Sequence, residues 1–438
     1  MLMGFKVKNF KSFKELQHFS LIAGKVRSNE NHIVDIGKHK ILKFSGMFGA
    51  NGSGKSNFIL ALGMGQFILS KGVKSLLNNV YYRGCGSDNK VNSYFEYEIV
   101  LNNKLYSYGF EINIFKNEII SEWLIDMTKN TEKIIFERDL KKNSSHSDLK
   151  KTNSIFANCL MEMTNNRTEL FLKEIIRRIS MSNNNDTFFD DIINVYKFLR
   201  FDLIVIKPQT HKLFDIDYLK SKDKILKILK ALDIDITDID NEKTNMKNIQ
   251  SKLPDNVYAN LINDIDMITS RFNKISCTLR IENDLYTIKK EKNGTYEVNT
   301  LKFKHNNCEN LFGTYEESDG TIRILELIDI LLSKNKVFLV DELDSSLHPL
   351  LVDGLLKIFL NSNTTNQLII TTHELKTLDF ALVRRDEIWF AEKSDQNGSK
   401  IYSLEEFKDV ARFDRKIDKA YMEGRFGAIA NIDTNYEN

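Results

Sequence analysis

Between Tyr94 and Ile125 apolar and polar positions alternate, in the runs YFEYEIVL, KLYSYGFEINIF and EIISEWLI. A period of two marks a strand with one face buried. The pairs Asn102-Asn103 and Lys116-Asn117 supply turn residues between the runs, so the segment predicts three antiparallel strands. Phe5, Val7 and Phe10, then Phe19, Leu21 and Ile22, read as earlier strands. Elsewhere the apolar residues run without alternation. Ile41 to Phe44 ends in Ser45-Gly46, and KVFLVDE and QLIITTHE are two more such runs. Continuous apolar strands are buried on both faces. Helical stretches separate them: FILALGMGQFIL, TIRILELIDILL and LVDGLLKIFL. Strands alternating with helices predict a parallel sheet covered by helices. DEIWFAEK and KIYSLEEF are further strand candidates.

The middle of the chain changes character. KKNSSHSDLKKTNS and ISMSNNNDT are polar and predict exposed loops. LFLKEIIRRI, DDIINVYKFLRF, YLKSKDKILKILKALDI and YANLINDIDMITSRF carry helical patterns. Residues 140–280 are therefore expected to form a mostly helical insertion. CTLRIENDLYTIKKEKNGTYEVNTLKF returns to strands, with a turn at Asn293-Gly294. The expected division is an N-terminal lobe over 1–139, the insertion over 140–280, and a C-terminal lobe over 281–438.

Length and charge narrow the picture. At 438 residues the chain exceeds what one compact core usually holds, which predicts lobes or insertions. Lys+Arg number 62 against Asp+Glu 60, so bulk charge gives no basis for non-specific DNA binding and any such contact needs a local patch. Lys173, Arg177 and Arg178, and Lys289, Lys290 and Lys292, are the candidate patches; charged runs of this kind are ordinarily solvated faces. Cys85, Cys159, Cys277 and Cys308 are far apart, which suggests neither a zinc site nor a disulfide framework. Free thiols fit a reducing cytoplasm. The start, MLMGFKVKNFKSFKE, carries charge where a signal peptide needs an apolar run. No stretch approaches the roughly 20 apolar residues of a membrane span. A cytoplasmic protein without membrane contact is expected.

The chemistry is concentrated in a few short motifs. Gly49-Ala50-Asn51-Gly52-Ser53-Gly54-Lys55-Ser56 fits G-x-x-x-x-G-K-[ST] and lies between a strand and a helix, followed by Asn57. Glycines let the backbone curl so that its N–H groups face phosphate oxygens, and the helix N-terminus favours the same anion. Lys55 would reach the β- and γ-phosphates, and the Ser56 hydroxyl would ligate Mg²⁺. Val337 to Val340 deliver Asp341 and Glu342 to the end of a buried strand. Asp341 suits a metal contact, and Glu342 is placed to polarise an attacking water. His373 ends the run LIITTH; alone, such a histidine is more often a structural hydrogen-bonder. Ser318-Asp319-Gly320-Thr321 opens the helix TIRILELIDILL, where Ser318 or Asp319 is an ordinary N-cap or part of an anion site.

Together these motifs resemble the ABC/SMC-type "AAA family ATPase" group of bacterial phage defence, the RloA/AbiL-like and related OLD-type ATPases without a TOPRIM domain. The resemblance rests on VKNFKSF at 7–13, FGANGSGKSNFI at 48–59, YSYGFEI at 106–112, EESDGT at 316–321, VFLVDELDSSLHPLL at 337–351, TTHE at 371–374 and AYMEGRFGAIANI at 420–432. These pieces lie in both terminal thirds, in the expected order. The signature reads ESDGT where transporters carry LSGGQ, and no coupling glutamine can be placed. The helical middle lacks the long heptads of an SMC arm.

The resemblance implies an α/β fold: an ABC-type P-loop ATPase head with an N-terminal antiparallel β subdomain. It implies ATP and Mg²⁺ as cofactors, hydrolysis, and heads that dimerise around nucleotide. His373 takes the switch-histidine position at the γ-phosphate. Ser318 to Thr321 take the position of the signature presented to the other subunit's nucleotide. Asp344, Ser345, Ser346 and His348 take that of the segment across the dimer interface. For His348 a helix-capping role stands equally open. VKNFKSF reads mainly as an edge strand with solvated lysines; the resemblance also implies an approach to adenine or ribose. The expected function is anti-phage, abortive-infection ATPase activity that senses infection through a phage-derived trigger. It controls a separate toxic effector, a nuclease encoded beside it. The alternative is an SMC-like repair or recombination ATPase that clamps DNA.

Overall fold

The computed structural model describes residues 1–84, 86–129, 131–149, 153–182, 186–207, 212–214, 218–271, 276–281, 284–291, 293–394, 398–407 and 417–429. Cys85, Lys292 and the last three residues of AYMEGRFGAIANI lie outside them, as do parts of both polar loops. The chain divides into two compact units. The first comprises 1–205, 335–342 and 365–438, and the second 206–334 and 343–364. The insertion expected over 140–280 is thus shared between them, its first part in the first unit.

Besides the two-stranded ribbon Ile33–Ile36/His39–Leu42, the first unit holds two large sheets. One is seven-stranded and contains the expected meander as Ser93–Leu101, Lys104–Asn113 and Glu118–Asp126, paired antiparallel. Asn102 and Asn103 take φ of 51° and 62°, the left-handed pair that a two-residue hairpin needs. The sheet continues into Lys133–Asp139 and Ser144–His146 on one side, and Leu2–Lys8 and Gln17–Ser20 on the other. Glu122 and Arg138 are fully buried in it and ion-paired at 2.7 Å.

The other large sheet is six-stranded and carries the runs KVFLVDE and QLIITTHE. Of the run expected over 41–44 only Phe44 lies in it, in strand Phe44–Phe48, while Ile41 and Leu42 end the ribbon strand His39–Leu42. Phe44–Phe48 lies between Gln367–Thr371 and Ile388–Ser394, parallel to both, and Val337–Val340 lies parallel beyond Gln367–Thr371. Gly398–Ser403 closes one edge antiparallel, and Leu203–Ile206 closes the other. The core strands are buried at every position, as their unbroken hydrophobicity requires. FILALGMGQFIL, expected as one helix, is two: Lys55–Leu62 and Met64–Lys71, broken at Gly63. Phe58 of the first packs edge-on against Phe5 and Phe19, and Phe19 contacts Trp389, so the helix after the P-loop shares one aromatic core with both sheets. Gln367 ties the sheets further, exchanging hydrogen bonds with the Leu2 backbone at 2.6 and 2.8 Å.

The second unit is a sheet between two helical layers. Ser276–Ile281, Asp284–Lys290 and Tyr296–His305 form its antiparallel centre, with the expected turn at Gly294, φ 83°. Leu285, Leu301 and Phe303 face helices Lys222–Ala231 and Asp319–Leu327; Leu279, Tyr286, Ile288 and Val298 face Asp255–Arg271. The edge strand Ile236–Thr244 is not foreseen by the pattern. At an edge, few of its side chains are buried, and ITDIDNEKT carries little apolar signal. The fold is mixed α/β with an extensive antiparallel sheet, as the sequence leads one to expect. Among the described residues no helix is long and apolar enough to cross a membrane.

Candidate functional site

Three of the motifs meet at one edge of the first unit. The P-loop leaves Phe44–Phe48, Asp341-Glu342 leave Val337–Val340, and Thr371-Thr372-His373 end Gln367–Thr371. These strands are parallel neighbours, so all three motifs emerge at their C-terminal ends. That is where open α/β sheets bind ligands.

The P-loop is a preformed cradle. Gly49, Gly52 and Gly54 take φ of 155°, 73° and 113°. A Cβ at Gly54 would lie 2.6 Å from the Ser399 hydroxyl and 2.8 Å from that of Ser12, so only glycine fits. Asn57 donates to the same Ser12 hydroxyl at 2.9 Å. Lys55 is buried, its ammonium donating to the carbonyls of Gly49 at 2.7 Å and Ala50 at 3.1 Å. It folds back across the loop it belongs to. Ser53 Oγ is buried without a hydrogen-bond partner, an orphan that a phosphate oxygen would satisfy. Asn51, Gly52 and Ser56 are exposed.

Beside the cradle, Asp341 is buried and accepts a hydrogen bond from the Thr371 hydroxyl at 2.7 Å. The same hydroxyl accepts the Glu342 N–H at 2.8 Å. Glu342 itself stands at φ 49°, left-handed for a residue with a side chain, and its carboxylate is exposed. Such a conformation costs about 1–3 kcal/mol and persists only where the surroundings impose it. Here it turns the chain sharply after the strand. His373 is exposed. Thr371 escaped the sequence reading because a threonine inside a strand ordinarily signals only β-propensity. Ser399 carried no signal; Ser12 lay within VKNFKSF, and its hydroxyl lies against Gly54 and accepts from Asn57.

The remaining predicted residues lie in the second unit. Ser318 N-caps Asp319–Leu327, its hydroxyl accepting the Thr321 N–H at 3.1 Å. Ser318 and Asp319 are exposed, Gly320 and Thr321 half-buried. A Cβ at Gly320 would lie 3.1 Å from the Ser346 carbonyl oxygen, so the Ser318–Thr321 turn and the Asp344–His348 loop touch. Ser346 is left-handed at φ 62°, and Asp344 closes the turn by accepting the Leu347 N–H at 3.1 Å. Ser345 is half-buried. His348 caps Pro349–Leu360 through Nδ1, which accepts the Leu350 N–H at 3.3 Å. Arg280 and Glu326 form a buried ion pair that anchors the Ser318-capped helix to the sheet.

The lysine and arginine patches are neutralised locally. Lys173 pairs with Glu169, Arg177 with Glu174, Arg178 with Glu162 and Glu174, Lys289 with Glu291, and Lys290 with Asp266.

The family described as "AAA domain, putative AbiEii toxin, Type IV TA system" matches residues 44–157 and 188–379, more than half of the chain. The chain belongs to this family of AAA domains. The match takes in the P-loop, Asp341-Glu342 and His373 together with the Ser318 turn. No curated protein matches the chain. A solved Smc head bound to the C-winged helix domain of ScpA is similar at 16% identity with a TM-score of 0.41, covering 92% of this chain and 99% of that one. An SMC head domain from Thermotoga maritima is similar at 12% identity with a TM-score of 0.36, covering 92% and 98%. An Smc head with an extended coiled coil, bound to the C-terminal domain of ScpA derived from Pyrococcus furiosus, is similar at 16% with a TM-score of 0.40, covering 94% and 98%. At these identities and scores the likeness extends to neither activity nor partners.

Proposed function

We propose that this AAA-family protein binds and hydrolyses Mg·ATP, and that it acts in bacterial phage defence by controlling a separate toxic effector, a nuclease. The observation that carries the ATP reading is the convergence of a glycine cradle, a buried lysine and the Asp341-Glu342 pair at the C-terminal ends of neighbouring parallel strands. The donor set suits both groups: backbone N–H groups and the orphan Ser53 hydroxyl for phosphate, Ser56 and Asp341 for a hard cation. When bound, Mg²⁺ neutralises charge on the phosphate oxygens.

The chain's own residues do the rest. Lys55 exchanges the carbonyls of Gly49 and Ala50 for phosphate oxygens, which pair its ammonium with an opposite charge. Glu342, exposed at the end of its strand, orients and polarises the attacking water. Thr371 holds the carboxylate of Asp341 and the backbone of Glu342 in fixed relation. His373 contacts the γ-phosphate. The Ser318–Thr321 turn, with Ser346 and His348 beside it, serves the nucleotide of a second copy. The defence role draws on the family's description as a putative AbiEii toxin of a Type IV TA system.

The test is phosphate release by the purified chain. Lys55→Ala should lose nucleotide binding, since its ammonium is the cation at the loop. Glu342→Gln should keep ATP binding while turnover falls about 100-fold or more, in the range of a lost general base. Turnover in Glu342→Gln near the wild-type rate would remove Glu342 from the chemistry. Strong stimulation by DNA ends would favour the DNA-clamping alternative.

A further inference from the structure

Gly49 and Ala50 open the P-loop, and the C-terminal part of the chain holds both. On one side, a Cβ at Gly49 would lie 2.3 Å from the carbonyl oxygen of Ala391 in Ile388–Ser394. On the other, the Ala50 N–H donates to the Ala428 carbonyl at 2.8 Å. The Tyr421 hydroxyl donates to that same carbonyl at 2.9 Å. The Ala428 N–H in turn donates to Glu392 Oε1 at 3.1 Å.

The geometry of this segment is imposed. Ala428 is left-handed at φ 57°, which a residue with a side chain adopts only under constraint. Gly427 stands at φ 68°, and a Cβ there would lie 2.7 Å from Glu392 Oε1 and 2.8 Å from the Tyr402 hydroxyl. Tyr402 donates to the Phe426 carbonyl at 2.7 Å, and the Phe426 and Tyr421 rings both stack on Phe390. Ala428 is thus held at its N–H by Glu392 of the strand next to the P-loop strand and at its carbonyl by Tyr421 of helix Ile417–Met422.

The consequence falls on the loop. With the Ala50 N–H turned to Ala428, its carbonyl receives the Ser53 N–H at 3.2 Å and the Lys55 ammonium at 3.1 Å. The peptides on both sides of Ala50 are fixed, and the rest of the curl is built on them. A phosphate loop that samples other conformers binds in proportion to the fraction correctly curled.

We propose that Gly427-Ala428 is a positioning segment that braces the phosphate loop, so that nucleotide binding requires the C-terminal segment to be seated. The nucleotide part rests on the ATP reading above; the brace itself does not. The experiment is hydrogen exchange of the peptide containing Ala50, with binding of a fluorescent ATP analogue, on the full chain. Gly427→Ala should unseat the segment, speed Ala50 exchange at least tenfold and weaken the analogue about tenfold, while exchange in Val337–Val340 stays as in the wild type. Tyr421→Phe, which removes one donor and keeps the ring, should shift both in the same direction to a smaller extent. Ala428→Gly keeps the carbonyl and should retain protection. Unchanged Ala50 exchange in both Gly427→Ala and Tyr421→Phe, or a uniform loss of protection throughout the chain, would overturn the brace. If Ala50 exchange responds but even the wild type binds no nucleotide, the brace stands and the ATP reading falls.

Discussion

At the scale of single residues, one hydroxyl does two jobs beside the P-loop. Thr371 donates to Asp341 and accepts from the Glu342 N–H, and is itself fully buried. Thr371→Val keeps the shape and removes both bonds. Each loss leaves a polar group without this partner, at about 1–3 kcal/mol. The larger effect should fall on rate, because the left-handed Glu342 is released. Single-turnover hydrolysis should drop at least tenfold, near 1.4 kcal/mol, with nucleotide affinity changed less. Thr371→Ser should recover most of the rate. A valine variant that hydrolyses like the wild type would reduce Thr371 to packing.

At the scale of elements, buried charge fixes how helices join sheets. Arg138 donates to Glu122 and to the carbonyls of Met163, Asn166 and Glu169. Glu122 accepts the N–H groups of Phe171 and Leu172, which open helix Phe171–Met181. Arg138→Met strands the carboxylate in the core, and urea unfolding should show a loss of about 3–5 kcal/mol. A loss below 1 kcal/mol would mean that water reaches the site. A second contact is pH-sensitive. His305 Nε2 meets Glu317 at 2.7 Å, one residue before the Ser318 cap. Burial pushes the imidazole down, but the Glu317 carboxylate and Asp235 outweigh it and hold its pKa above the ordinary histidine value. A raised folded-state pKa stabilises below the unfolded value and is lost as pH rises through the folded one. Wild type should therefore exceed His305→Gln in stability at pH 5.5 by more than at pH 8.5, measured by thermal unfolding. An equal gap at both pH values would contradict the contact.

At the scale of the whole molecule, the proposed roles fall on two units. The cradle, Asp341, Glu342 and His373 belong to the first; the Ser318–Thr321 turn and the Asp344–His348 loop belong to the second. In the two-fold assembly we propose, each copy lends its turn to the other's nucleotide, as an isologous interface requires. Ser318→Arg should leave nucleotide binding intact and abolish hydrolysis, with about 1 kcal/mol lost from the helix cap. Mixed with Lys55→Ala, it should regain activity through one competent site per heterodimer, if subunits exchange. Light scattering should show assembly with ATP and not with ADP, since only ATP carries the γ-phosphate the turn would meet. Full activity of Ser318→Arg as a strict monomer would refute a shared site.

What the sequence determined by itself is what repeats locally. The period-two runs and their asparagine turns specify the meander, because pleat and turn chemistry act over a few residues. The unbroken apolar runs specify the buried parallel strands, and the glycine spacing specifies the P-loop. The polar edge strand Ile236–Thr244 left no such trace, since an edge needs little apolar surface. Only the tertiary structure decided that Thr371 bridges Asp341 and Glu342, that Gly320 makes room for the Ser346 carbonyl, and that Ala428 reaches back to Ala50. Each depends on a hydrogen bond or close approach between segments remote in the chain. Such contacts follow from which strands become neighbours, and no local pattern of side chains records them.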